Sequence, residues 1–101
     1  MQSVVAIEEI WIDHERRLFV RTASAYRYIY RSAAEVHWDP AAAFLYSPPP
    51  REWSYVQWLQ HIIGTVQLEY GQRIVATPET SWERLTPEVR RELQAAVVAL
   101  E

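Results

Sequence analysis

Hydrophobic and polar positions alternate loosely from Val4 to Ile12, break at Asp13, His14 and Glu15, and resume from Arg17 to Ala23. A period near two, rich in Val and Ile and interrupted by three polar residues, predicts a β-hairpin. Ser24 is placed to cap a short helix in which Tyr26, Ile29, Tyr30 and Ala33 share a face. The AYRYIYR segment also alternates as a strand does, so residues 24–34 fit both periods, with the helix favoured. Val36 to Trp38 and Phe44 to Tyr46 are short apolar runs flanking Asp39-Pro40-Ala41. Asp-Pro starts turns readily, and a second small hairpin is expected there.

Ser47 and the three prolines Pro48 to Pro50 then predict a stiff, extended connector, because each proline fixes φ and disfavours a helical residue before it. Ser54 followed by Gln57 has capping-box spacing. Tyr55, Leu59, Ile62, Val66 and Tyr70 repeat at helical spacing up to Gly71, a natural helix stop. Arg73 to Thr77 reads as a strand halted by Pro78. Thr86 caps a last helix with Pro87 in its first turn and Val89, Leu93, Ala96, Val97 and Leu100 as its buried stripe. The order ββ(α)ββαβα predicts an α+β fold: a small, mainly antiparallel sheet of two hairpins plus one further strand, with two to three helices packed on one face.

Length and composition bound this picture. With 101 residues and no Gly/Ser-rich or charge-run linker, a single domain over 1–101 is expected. Half the residues are hydrophobic and 23% are charged, which excludes a disordered chain. Cysteine is absent, so disulfides and thiolate zinc sites are excluded, and a cytoplasmic location is the default expectation. The start, MQSVVAIEEIWID, carries acids where a signal peptide needs a basic start, and no run of 18 apolar residues occurs. Neither export nor a membrane partner is expected.

The segments WDP (38–40), LYSPPPREWSY (45–55), EYG (69–71) and TPETSW (77–82), followed by the Thr-Pro-capped last helix, carry a family resemblance. The chain resembles the small α+β proteins encoded by integron mobile gene cassettes, known chiefly from environmental and proteobacterial sequences. The resemblance runs from the first hairpin to the last helix. It implies an α+β fold, self-association into a homo-oligomer, a small-molecule pocket and no established biochemical activity. It supplies no catalytic residue, and no cofactor is expected.

Candidate chemistry comes from two surpluses. Five Trp and six Tyr are too many for so short a chain to bury with every polar tip satisfied. All ten basic residues are Arg, a flat, forked and stackable cation. Aromatics and Arg are enriched at binding hot spots, so the leading expectation is a non-enzymatic, self-associating domain that binds a small molecule or a partner protein. Trp38, Asp39, Arg51, Glu52, Trp53, Trp58 and Trp82 are the candidate ligand-binding residues. Arg51 meets the positive end of a predicted helix, so it is expected to pair with Glu52 or Asp39 or to hold an anion.

Two other readings remain. Residues 16–31 hold five Arg and no acid, interleaved with rings, as single-strand nucleic-acid platforms do, with Arg21, Arg27 and Arg31 as candidate contacts. The formal charge of −3 and the lack of an RNA-binding motif weigh against it. A small hydrolase or transferase using His37 and Asp39 needs both to converge with a nucleophile such as Ser47. Asp39 is otherwise a turn starter, and His61 on the main helix reads as a partly exposed structural histidine. No two His share metal-ligand spacing, so no metal is expected.

Overall fold

A computed structural model of the chain describes residues 3–29 and 35–98. Strand β1 (Ser3–Ile12) turns back into β2 (Leu18–Thr22), and β3 (His37–Asp39) pairs with β4 (Phe44–Tyr46). Helix α1 (Tyr55–Tyr70), strands β5 (Gln72–Val75) and β6 (Ser81–Glu83), and helix α2 (Pro87–Val98) follow. The fold is α+β. The strands lie in the order β3-β4-β2-β1-β5, with β6 also on β1. The β1–β2, β2–β4 and β3–β4 pairs are antiparallel, whereas β5 and β6 both run parallel to β1, so the sheet is mixed.

The long β1 organises the sheet by changing neighbours along its length. Ser3 to Ala6 pair with β5, and Glu9 to Trp11 pair with β6. Ile7 and Ile10 are both buried although three residues apart, which a strict period of two forbids. A bulge resolves this: Ile7 lies opposite Thr22 but Glu9 lies opposite Arg21, so β1 spends one extra residue there. Beyond the bulge Ile10 and Ile12 face the core with Val20 and Leu18, while Glu9 and Trp11 face outward with Arg21 and Phe19.

Side chains make the turns. Asp13 accepts the backbone N–H groups of Glu15 (3.0 Å) and Arg17 (2.8 Å), which lets Arg16 take φ +66° and closes the first hairpin. Burial pushes the Asp13 carboxyl up, but the hydrogen bonds and charge of Arg17 outweigh it and hold the group below its ordinary value. Asp39 accepts from the N–H groups of Ala41 (2.9 Å) and Ala42 (3.2 Å), as its turn-starting role requires.

The favoured helix from Ser24 does not form over the described residues 24–29. They make one turn, closed by Ile29 N–H to the Tyr26 carbonyl at 3.2 Å. Tertiary anchoring wins over the local period: Tyr26 and Ile29 are fully buried, and the Tyr26 hydroxyl donates to Gln72 Oε1 at 2.9 Å. Ser24 donates its N–H to the Thr22 hydroxyl instead of capping a helix. Tyr30, Arg31 and Ala33 lie outside the described residues.

Helix α1 begins with the full capping box, Gln57 N–H to Ser54 Oγ and Ser54 N–H to Gln57 Oε1, and ends at Gly71 with φ +64°. Its buried Leu59, Ile62 and Val66 join Ile74 and the core-facing residues of β1, β2 and β4. Thr86 accepts the Val89 N–H and starts α2, whose Leu93 and Val97 complete the same cluster. Leu100, the last residue of the expected stripe, lies outside the described residues.

Candidate functional site

The connector between β4 and α1 places most of the candidate side chains. Ser47 is fully buried, with its hydroxyl donating to the Pro48 carbonyl, and the prolines carry the chain extended from there to the α1 cap. Arg51, Glu52 and Trp53 therefore sit immediately before the helix. Trp58 and His61, three residues apart, share a face of α1. The Trp53 and Trp58 rings lie 4.7 Å apart, Trp53 and His61 5.1 Å, and Trp58 and His61 6.0 Å. With Glu35, Pro49, Arg51 and Glu52 these rings line a cleft of about 480 Å³, a size that suits a small ligand.

Exposure separates the two indoles. Trp58 is 6% exposed and belongs to the core, whereas Trp53 is 40% exposed. Trp58 Nε1 and His61 Nε2 are buried without a hydrogen-bond partner. Burial also pushes the His61 imidazole below its ordinary value, so it is neutral at pH 7. Arg51 does not pair with Glu52 or Asp39; its Nη2 lies 3.3 Å from Glu35 Oε1. Both side chains are largely exposed, so this pair stabilises the fold little. Glu52 has no ion-pair partner among the described residues, which leaves the cleft one carboxylate in excess.

Of the seven candidate ligand residues, the structure brings Arg51, Glu52, Trp53 and Trp58 together and places Trp38, Asp39 and Trp82 elsewhere. Trp38 lies on the core side of β3, edge-on to Tyr26 at 5.9 Å. Trp82 sits opposite Ile10 on β6 and packs against the core. Asp39 is committed to its turn. The cleft adds Glu35, Pro49 and His61. His61 carried a usable signal, since it follows Trp58 by three residues on a helix; Glu35 carried none, being sixteen residues from Arg51.

His37, Asp39 and Ser47 each have a partner of their own. His37 is exposed and stacks on Tyr46 at 5.1 Å, Asp39 binds its own turn, and the Ser47 hydroxyl is buried on Pro48. Among the described residues, no three His, Asp or Glu side chains gather as metal ligands. No helix among them is long and apolar enough to cross a membrane.

The second surplus lies on the sheet face opposite the core. Trp11 stacks on Phe19 (4.9 Å), Phe19 on Tyr46 (5.4 Å), and Phe44 packs against all three. Arg17 lies over Phe19 and Tyr46, and Arg21 over Trp11 at 5.2 Å. Each arginine is neutralised within the chain: Arg21 meets Glu9 at 2.9 Å and Arg17 meets Asp13 at 2.8 Å. Arg27 is exposed in the loop after β2, and Arg31 lies outside the described residues.

A family model described as "Integron Cassette Protein Hfx_Cass5" matches residues 4–80. A solved structure described as "Structure from the mobile metagenome of North West Arm Sewage Outfall: Integron Cassette Protein Hfx_Cass5" is 40% identical to this chain. That match covers 97% of this chain and 98% of the other, with a TM-score of 0.46. No curated protein matches the chain.

Proposed function

The chain belongs to the Hfx_Cass5 family of integron cassette proteins, and we propose that it is a non-enzymatic binding domain that takes a small molecule in the cleft before α1. One observation carries this reading: Trp53, a large apolar side chain left 40% exposed, forms a wall of a concave site together with a buried indole and a neutral imidazole. An exposed indole at a concave site offers apolar area that a bound ligand would remove from water. The proline connector and the capped helix fix the wall in place before any ligand arrives, which lowers the ordering cost of binding.

Tryptophan emission and melting temperature, read across indole, benzoate and choline as representatives of neutral, anionic and cationic ligands, test it. At least one class is expected to shift both signals in the unaltered protein and neither in Trp53→Ala. Silence from all three would remove the cleft from consideration.

A second reading, self-association, is favoured by the aromatic outer face of the sheet. Its rings are stacked on one another, and its arginines are charge-matched by Glu9 and Asp13. Stacked rings leave few faces for nucleobases, and matched cations release few counterions from phosphates, so the same geometry weighs against nucleic acid. It suits a protein surface of mixed charge, a second copy included. Light scattering at rising concentration is expected to show a mass above that of the monomer, and a strict monomer would end this reading.

A further inference from the structure

We infer that the cleft selects organic cations, ligands carrying a quaternary or alkylated ammonium group. The inference rests on the cleft reading above and deepens it. The three rings are steeply inclined to one another: Trp53 to Trp58 at 58°, Trp53 to His61 at 72° and Trp58 to His61 at 70°. The rings pack against one another at inclined angles, Trp58 stays in the core, and Trp53 is the indole left exposed at the cleft. A planar arene is better held between parallel rings. The negative π-faces of indoles attract cations electrostatically, Trp most strongly of the aromatic side chains.

Charge points the same way. Arg51 faces Glu35 at 3.3 Å, so its charge is offset within the cleft. The α1 start is already occupied by its capping box, with the Gln57 N–H on the Ser54 hydroxyl, which reduces its use as an anion site. Glu52 has no ion-pair partner among the described residues, so the lining carries two carboxylates against one guanidinium. A burial-neutral His61 contributes a ring without adding positive charge. A cation therefore meets an exposed indole and a lining with more carboxylate than guanidinium, whereas an anion meets the same excess negative charge.

The test compares choline with 3,3-dimethylbutan-1-ol, its uncharged isostere of nearly the same shape, and with benzoate, by calorimetric titration of the full chain at low salt. Choline is expected to bind about tenfold more tightly than the isostere, a ratio in the range of a partly desolvated cation–π contact. Trp53→Ala is expected to abolish choline binding, and Glu52→Gln to weaken choline severalfold while leaving the isostere unchanged. Both positions are exposed, so neither variant endangers folding. Isostere or benzoate binding as tightly as choline would overturn the cation assignment and leave the cleft reading standing. No binding of any of the three would overturn both.

Discussion

At the scale of single residues, the two indoles of the cleft have different jobs, and their substitutions separate. Trp58 is almost wholly inside the core, so Trp58→Ala leaves a cavity and is expected to cost about 3–5 kcal/mol in chemical denaturation. Trp53→Ala, at an exposed site, is expected to change stability by less than about 1 kcal/mol while removing ligand response. His61 gives the cleft a pH signature. Its folded-state affinity for a proton is below that of the unfolded chain, so it contributes stability that is complete above about pH 6.5 and is lost as pH falls below that value. Glu35, Arg51 and Glu52 line the same cleft. Melting temperature in the unaltered protein should therefore drop between pH 7 and 5 by more than in His61→Gln. Equal drops in the two proteins would show that His61 does not carry the effect.

At the scale of elements, whatever rests on local chemistry was legible in the sequence. Ser54 with Gln57, Gly71, Thr86 with Pro87, Asp13 and Asp39 each satisfy backbone groups within four residues, and each sits where its spacing predicts. Ser54→Ala is expected to cost about 1 kcal/mol by removing the acceptor of the Gln57 N–H. Gly71→Ala has open space for its Cβ but must adopt φ +64°, so its expected cost of about 1 kcal/mol is conformational and not steric. Denaturant midpoints of the two variants check both figures. What the sequence hid is non-local. The bulge after Ile7 reverses which β1 residues face inward, and no single-strand period reveals it. The three-residue β6 has no propensity of its own and exists because Ser81 to Glu83 complete the edge of β1. The turn after Ser24 follows Tyr26 into the core against its own helical spacing, and Glu35 reaches the cleft only through the tertiary path of the chain.

At the scale of the whole molecule, the expected surplus of rings and guanidinium groups resolves into two places with different physics. On the outer sheet face the rings stack on one another and the arginines pair with acids of the same chain, so that face is charge-matched. In the cleft the rings are inclined, one indole stands out, and Glu52 has no ion-pair partner among the described residues. The proposed small-molecule site therefore lies at the start of α1, beside Trp58 in the core. The most direct measurement is the set of indole N–H resonances of the five tryptophans during titration with tetramethylammonium. The account predicts saturable shifts at Trp53 and Trp58, with Trp11, Trp38 and Trp82 unmoved. Shifts centred on Trp11, or none at any indole, would contradict it.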